Sequence, residues 1–174
     1  RAEAWLLSAK DAAQPWDRAG WNAHATTTSL AERRADADPH SPALSAILDC
    51  IEFGLPQSFE GAIRSEMAIF ATLIQRPEPR NMIQTLFLGK TDYDRAVRKG
   101  TLPESLPVIV ATAQGVEGDR AETSVLSAIS DAVAPLGATL SFEEKRMADY
   151  ACVTQSGFPA FLGGPFTFAA RGFD

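Results

Sequence analysis

The amino-acid sequence predicts a mainly α fold with at most one or two short strands. Apolar residues recur at intervals of three and four along most of the chain, which is the period of an amphipathic helix. The breaks between these segments carry Ser, Pro and Gly, which are typical of helix starts and ends. Val108–Val110 is the only apolar β-branched run, and one run of this kind cannot build a sheet.

The first 40 residues contain one predicted helix and a linker. Residues 1–10 (RAEAWLLSAK) favour an amphipathic helix, which ends before a turn at Gln14–Asp17. Residues 18–40 are rich in Ala, Thr, Asp and Arg and have almost no large apolar side chains. We therefore expect a surface linker there.

Two helices are predicted next. Ser41 is a suitable N-cap and Pro42 suits the first helical position, so a helix is expected over residues 43–53, before Gly54. A second helix is predicted over residues 58–75, starting at Ser58. Its apolar residues form one stripe at helical spacing: Phe59, Ala62, Ile63, Phe70, Leu73 and Ile74.

Prolines separate the second helix from a third. Pro77 and Pro79 stop the second helix. RNMIQTLFL, residues 80–88, predicts the third helix, with Gly89 closing it. The apolar stripes of these three helices predict that they pack together.

The second half of the chain has weaker and more varied signals. A short charged helix is predicted over residues 92–99, and Val108–Val110 predicts one short strand between Pro107 and Gly115. Another helix fits residues 119–134. Ser141 and Glu144 form the pattern of a capping box for a helix that reaches Tyr150.

Composition limits the classes of partner and compartment. The 174 residues suffice for one ordinary domain or two small ones, and 45% of them are hydrophobic. A net charge of −6 argues against nucleic acid as a partner. Cys50 and Cys152 stand among apolar neighbours, which predicts two buried free thiols and a reducing, cytoplasmic location. No apolar run approaches the ~18 residues of a membrane span.

Motifs that carry chemistry are scarce. The chain has no P-loop, zinc or nucleophile-elbow motif, and the GVEG at residues 115–118 lacks the spacing of a dinucleotide fingerprint. His24 and His40 fall in the predicted linker, where solvated side chains are a better interpretation than metal ligands. We expect the negative charges of Glu143 and Glu144 to stabilise the N-terminus of a helix rather than to serve in acid–base catalysis. No catalytic residue and no metal site are predicted.

Arg95, Arg98 and Lys99 share a face of the predicted helix over residues 92–99. A cationic face of this kind is usually solvated, and it could also meet a phosphate group. Both interpretations stay open at the level of sequence.

The stretch GFPAFLGGPFTF, residues 157–168, combines three glycines, two prolines and four phenylalanines. It resembles the closing segment of the 3-hydroxyacyl-CoA dehydrogenase C-terminal domain, found in the multifunctional α-subunit of the bacterial fatty-acid oxidation complex. As in that family, a helical segment precedes it, here MADYACVTQS. The pattern is specific, because most of its positions are constrained.

The first half of the chain is similar to another part of the same multifunctional polypeptide, the end of its enoyl-CoA hydratase region. The similarity lies in the residues Ala4–Leu6, Gln14–Asp17, AIRSEMAIFATLI and RNMIQTLFLGK. The resemblance therefore implies three segments: residues 1–90 as the helical end of the hydratase region, residues 91–140 as a connection, and residues 141–174 as the end of the dehydrogenase domain.

The family carries an NAD-binding domain between these segments, and neither of its catalytic centres has matching positions here. The resemblance therefore implies a helical, non-catalytic part of a β-oxidation enzyme that acts, when intact, on acyl-CoA thioesters. NAD belongs to the intact family and no cofactor to this chain. Other domains or subunits of a β-oxidation complex, or acyl-CoA, are the implied partners. The start at Arg1 rather than Met leads us to expect a piece of a longer protein.

Two other interpretations stay open. A free-standing, non-catalytic module could bind acyl-CoA or a partner, or the chain could be an unrelated helical interaction module.

Elementary stereochemistry gives the C-terminal motif two candidate roles. Pro159 biases the chain away from helix, Gly163 and Gly164 permit positive φ or a close backbone approach, and Pro165 can begin a terminal helix. One role is a corner that locks the core through its phenylalanines. The other, implied by the resemblance, is an acyl or interdomain surface made by Gly157, Phe158, Pro159, Gly163, Gly164, Pro165 and Phe166.

The resemblance also implies a weak coenzyme A contact at Phe87 and Lys90. In the hydratase family an aromatic residue and a lysine near the end of the helical tail can approach the nucleotide. The alternative places Phe87 in the core and Lys90 as a cation near the C-terminus of its helix.

Overall fold

The computed structural model describes residues 13–14, 18, 27–38 and 40–171, and for Thr27–Ser29 the backbone alone. The helix predicted over residues 1–10 lies outside these residues, as do His24 and most of the turn predicted at Gln14–Asp17.

Every regular element in the described ranges is helical, which confirms the mainly α prediction. None of these helices is both long and apolar enough to cross a membrane. In chain order the elements are α1 (Thr27–Ala35), α2 (Pro42–Gly54), α3 (Phe59–Leu73), α4 (Pro77–Met82), a π-helical segment (Ile83–Gly89), α5 (Lys90–Lys99), α6 (Leu106–Gly115), α7 (Thr123–Val133), a 3-10 turn (Pro135–Gly137), α8 (Phe142–Ser156), a second 3-10 turn (Ala160–Leu162) and α9 (Pro165–Arg171).

The chain divides into two units. The first comprises Arg1–Asp38 and Ala43–Thr72, and the second comprises Pro39–Pro42 and Leu73–Asp174. The division into hydratase-like, connecting and dehydrogenase-like segments stays a prediction.

The linker predicted over residues 18–40 contains α1, so the prediction was wrong for Thr27–Ala35. Ala, Glu, Arg and Leu favour helix even where few large apolar residues are present. Arg34 also ties this helix to α2 in the first unit. Its Nη2 lies 2.9 Å from Asp49 Oδ1 and 2.8 Å from Glu52 Oε2.

Helices α2 and α3 have nearly the predicted bounds, and Ser58 caps the start of α3 by accepting a hydrogen bond from the Gly61 N–H at 3.3 Å. The packing predicted for the α3 stripe is wrong, because α3 has no buried residue. Phe59 and Phe70 each expose more than half of their surface. Helical periodicity identified the element correctly, but periodicity does not say what covers the apolar face.

In the second unit, α4, the π-helical segment and α5 form one continuous helix from Pro77 to Lys99. The sequence predicts that Gly89 closes a helix, and this prediction was wrong. The φ of Gly89 is −60° and α5 follows directly. The reason for a glycine is close contact with α8. A Cβ at this position would lie 2.9 Å from the Arg146 carbonyl oxygen and 3.2 Å from Tyr150 Cβ.

The core of the second unit lies between α6, α7 and α8. The strand predicted at Val108–Val110 was wrong, because these residues belong to α6. Pro107 occupies the first turn of α6, where proline is tolerated, and burial of apolar side chains outweighs the modest strand preference of Val and Ile. The fully packed core residues are Leu106, Ile109, Val110, Ala113, Leu126, Ile129, Val133, Ala148, Ala151, Cys152 and Phe158.

The capping box predicted at the start of α8 is confirmed. The Glu144 N–H donates to Ser141 Oγ at 3.3 Å, and the Ser141 N–H donates to Glu144 Oε2 at 2.8 Å. The hydrogen bond from the Ser141 backbone lowers the pKa of Glu144. Helix α8 runs beyond the predicted Tyr150 to Ser156, and Gly157 ends it with a φ of 72°.

Alanine at Gly89 and at Gly115 should have opposite effects on stability. Alanine favours helix over glycine by up to about 1 kcal/mol, and a Cβ at Gly115 meets no atom within 4 Å. Gly115→Ala should therefore stabilise the fold slightly. Gly89→Ala should lower the free energy of unfolding by about 1–3 kcal/mol, because the backbone of α8 must shift. Urea unfolding followed by circular dichroism measures both, and two effects of the same sign would contradict the close approach.

Candidate functional site

The C-terminal motif folds into a corner that is held by a carboxylate from another helix. Asp149, on α8, is only 2% exposed. Its Oδ1 accepts a hydrogen bond from the Phe166 N–H at 2.8 Å, and its Oδ2 accepts from the Thr167 N–H at 3.0 Å and the Thr167 hydroxyl at 2.7 Å. Asp149 therefore performs for α9 the task that an N-cap residue usually performs from within its own chain segment.

The two glycines before α9 make room for that carboxylate. Gly163 and Gly164 have φ values of 87° and 99°, which only glycine adopts readily. A Cβ on Gly164 would lie 2.5 Å from Asp149 Cβ, so the glycine serves both the backbone conformation and the close approach. Pro165 then begins α9, as predicted.

The helix from Pro77 to Lys99 supplies the opposite wall of this corner. Asn81 Nδ2 donates to the Phe161 carbonyl at 2.8 Å, and the Thr85 hydroxyl donates to the Gly163 carbonyl at 2.7 Å. The Arg171 guanidinium donates to the Asn81 side-chain oxygen. Both Asn81 and Thr85 are buried, so their polar groups stabilise the corner only because these partners are present.

The residues predicted as an acyl or interdomain surface therefore divide into two groups. Phe158, Gly163, Gly164 and Pro165 are buried, while Pro159 and Phe166 are partly exposed and Gly157 is exposed. The core-locking role is what this arrangement supports. A surface role stays a prediction, and Gly157, Pro159 and Phe166 are the three of these seven residues that reach solvent.

Phe87 and Lys90, the residues implied for coenzyme A, lie close together in sequence on the outer side of the long helix. Phe87 is 68% exposed, so it is not the core residue of the alternative interpretation. Lys90 Nζ pairs with the Asp94 carboxylate, and this hydrogen bond raises the pKa of Lys90. A ligand phosphate would have to compete with Asp94 for this ammonium group.

The outer side of this helix is more apolar than its inner side. The buried face carries Asn81, Thr85, Gly89 and Asp92, which are polar or small. The exposed residues of the π-helical segment include Ile83, Leu86, Phe87 and Leu88. Soluble helices usually have the reverse arrangement, and an exposed apolar patch often marks an interaction surface.

The cationic face predicted from Arg95, Arg98 and Lys99 borders acidic groups. Arg95 and Lys99 line a concave surface of about 370 Å³ together with Asp92, Glu143 and Glu144. Arg95 Nη1 lies 3.4 Å from Asp92 Oδ1 and 3.5 Å from Glu143 Oε1. Asp92 is also paired with Arg146 of α8. This mixture of charges makes the concavity a poor phosphate site, since Arg95 already faces two carboxylates.

One histidine and both cysteines lie in the described part of the chain, and they are far from forming a cluster of reactive groups there. His40 stacks on the Phe161 ring with 4.1 Å between the ring centroids. Both cysteines are free thiols, as predicted, but only Cys152 is buried, and the predicted burial was wrong for Cys50. Burial raises the pKa of Cys152 to about 12, which leaves its thiol protonated. Across the described part of the chain, no group of three or more His, Cys, Asp or Glu side chains could hold a metal ion.

Sequence reasoning missed Asp149, Asn81 and Thr85. One local signal pointed to the missing cap: Pro165 starts a helix directly after Gly164, so no capping side chain precedes it. The cap therefore had to come from elsewhere in the fold, and nothing in the spacing identifies Asp149 as its source.

The chain is similar to one part of a known protein. It is 32% identical over 92 residues to the fatty acid oxidation complex subunit alpha of Aliivibrio fischeri (strain ATCC 700601 / ES114). The match covers 52% of this chain and 13% of that protein, so the chain spans a small fraction of the relative's length. No protein-family model matches the chain, and no solved structure matches it significantly. The similarity supports the resemblance, and the correspondence of individual regions stays a prediction.

Asp149 should make the stability of the fold depend on pH. Burial raises its pKa from 3.8 to about 7, and the three hydrogen bonds from Thr167 and Phe166 oppose that shift. Because the folded-state pKa lies above the unfolded value, the contribution of Asp149 is greatest below pH 4 and declines as the pH rises to 7.

The matched variant is Asp149→Asn, which cannot titrate at this position. Chemical unfolding from pH 4 to pH 8 should show the wild type losing stability relative to Asp149→Asn up to about pH 7, with a constant difference above it. A difference that grows in favour of the wild type as the pH rises would show that the three donors hold an ionised carboxylate.

Proposed function

We propose that this chain is a helical, non-catalytic part of a fatty-acid β-oxidation enzyme of the 3-hydroxyacyl-CoA dehydrogenase and enoyl-CoA hydratase kind. The intact protein acts on acyl-CoA thioesters. The observation that carries the proposal is the 32% identity to the fatty acid oxidation complex subunit alpha over 92 residues.

The use of the buried polar groups agrees with a supporting role. Asp149 caps α9, Asp92 pairs with Arg146, and Asn81 and Thr85 bind backbone carbonyls of the corner. Each of these groups is committed to a partner within the fold, whereas general acid–base catalysis needs a group positioned against a substrate.

We place no NAD site in the described part of the chain. The two glycines of GVEG, Gly115 and Gly118, lie at the end of α6 and in the loop after it. A pyrophosphate binds instead at the backbone N–H groups of a strand-to-helix turn. We therefore place the cofactor of the family in the remainder of the intact protein.

A second candidate function is a free-standing module that binds acyl-CoA or a partner protein. The exposed Phe87 beside Lys90 favours it, because a phenyl ring can stack on adenine and an ammonium group can pair with phosphate.

The intact protein and the isolated chain should differ in activity. An antibody raised against the chain should precipitate a native protein longer than 174 residues that oxidises 3-hydroxyacyl-CoA with NAD. The isolated chain should neither hydrate enoyl-CoA nor oxidise 3-hydroxyacyl-CoA. Turnover by the purified chain would contradict the supporting role, and a native protein of the same length without acyl-CoA activity would contradict the proposal as a whole.

Coenzyme A binding to the isolated chain distinguishes the second candidate. If Phe87 and Lys90 form the contact, Lys90→Ala should weaken binding several-fold at low salt and less at high salt, because salt screens exposed charges. Lys145→Ala, on α8, is the matched control and should leave the affinity unchanged. Isothermal titration calorimetry measures both variants. Equal affinities for Lys90→Ala and the wild type at every salt concentration would remove Lys90 from the contact.

A further inference from the structure

The first unit contains a groove that the proposed function leaves unexplained. It lies between α2 and α3 and has a volume of about 550 Å³. Its lining residues on each helix recur at intervals of three and four, which is the spacing of one helix face. We call this surface the α2–α3 groove. Helix α2 contributes Ile47, Cys50, Ile51 and Gly54 to its lining, and helix α3 contributes Phe59 and Ala62.

The two helices approach each other closely at one end of the groove. A Cβ on Gly54 would lie 3.6 Å from Ala62 Cβ. Elsewhere α2 and α3, both fully described, are not packed against each other, so their apolar faces do not cover one another. The groove therefore has room for the side chains of a third helix, since packed helices have axes about 8–10 Å apart.

The apolar side of α3 continues past the groove. Met67 and Phe70 lie beyond its lining and expose 66% and 60% of their surface. From Phe59 to Phe70 the helix rises about 16 Å, which is about three helical turns. A small molecule confined to the groove would leave Met67 and Phe70 uncovered, whereas an amphipathic helix of similar length can cover the whole face.

One carboxylate at the groove is not neutralised. Glu66, on α3, lines the groove. Among the described residues, no hydrogen bond or ion pair engages its carboxylate, whereas the other three carboxylates of α2 and α3 are each paired with an arginine. A cationic group on the occupant would supply the missing charge.

The surroundings of Glu66 leave it as the polar group that an occupant would meet. Gln57 Nε2 already donates to the Phe53 carbonyl at 2.6 Å and to Ser65 Oγ at 2.7 Å. Partial burial raises the pKa of Cys50, and the charge of Glu66 adds to this shift. The negative charge of Glu66 therefore acts inside the groove. An apolar stripe flanked by lysine or arginine matches this combination of apolar walls and a single free carboxylate.

The same charge argues against a second copy of this chain as the occupant. The chain carries a net charge of −6 at pH 7, so two copies repel each other. A two-fold pairing through the groove would also bring Glu66 towards its own counterpart. A basic helix from a different protein is instead attracted by these charges, which speeds its encounter with the groove.

From these observations we infer that the α2–α3 groove binds an amphipathic helix of a partner protein, with lysine or arginine beside its apolar stripe. The inference is independent of the proposed function, since it depends only on the first unit.

Fluorescence anisotropy with labelled synthetic peptides tests the inference on the full chain. The probe is a peptide of about 14 residues with leucine at intervals of three and four and lysine elsewhere, which makes about four turns of amphipathic helix. It should bind, and a peptide with glutamate in place of every lysine should bind at least about tenfold more weakly. A scrambled Leu/Lys peptide, whose leucines do not share a face, should also bind at least about tenfold more weakly.

Two pairs of variants locate the binding surface. Glu66→Gln should weaken binding several-fold at low salt and less at high salt, because salt screens the charge. Glu117→Gln, in the loop after α6, removes the same charge from the second unit and should change the affinity much less. Met67→Gln should weaken binding about fivefold or more through lost apolar contact. Ala68→Gln, exposed on the opposite side of α3, should bind like the wild type.

Cys50 provides a further measurement that needs no substitution. It lines the groove, whereas Cys152 is fully buried. With a fixed excess of an alkylating reagent, the rate of Cys50 modification should fall several-fold as the Leu/Lys peptide saturates the chain, while Cys152 stays slow throughout.

Three results would overturn the inference. The first is equal binding of the amphipathic and the scrambled Leu/Lys peptides. The second is an equal loss of affinity in Glu66→Gln and Glu117→Gln. The third is a chain that dimerises without peptide and thereby protects Cys50, which would assign the groove to a second copy.

Discussion

The second unit depends on a buried carboxylate that bridges two helices. The Asp149 side chain projects from α8 and accepts three hydrogen bonds at the start of α9. Without it, the N–H groups of Phe166 and Thr167 would be buried without a partner, which costs about 1–3 kcal/mol for each group. The glycines of the motif, the proline that starts α9 and the buried Phe158 are arranged around this contact. The phenylalanine-rich motif is thus an anchoring corner whose central polar group belongs to a different element.

The long helix from Pro77 to Lys99 supplies further polar contacts to the same corner. Its inner face is polar or small, because it must bind backbone carbonyls of the corner and pass close to α8 at Gly89. Apolar residues then fall on the outer face, around Phe87. Because the inner face is polar, the apolar residues of this helix are left exposed on the outer face. A ligand or another domain can reach Phe87 there.

The features that were predictable from the sequence are those that depend on neighbours in the chain. Ser141 and Glu144 are three residues apart and form their capping box as expected, and Pro42 and Pro165 begin helices as expected. Gly89 and Val110 were misread because their surroundings are tertiary: a glycine that ends one helix and a glycine that admits another look alike in sequence. Asp149 is 17 residues from Phe166, so its role follows only from the fold.

The separation of these partners along the chain has a consequence for folding during synthesis. Thr85 binds Gly163, 78 residues later, and Asn81 binds Phe161, 80 residues later. When the ribosome has made the long helix, its polar face still lacks the carbonyls that it will bind, and it must stay hydrated. The second unit can therefore reach its native state only after α9 has emerged. Until then the core of α6, α7 and α8 lacks Phe158 and its corner, so this unit depends on late, long-range contacts, which slow folding and prolong the exposure of apolar surface.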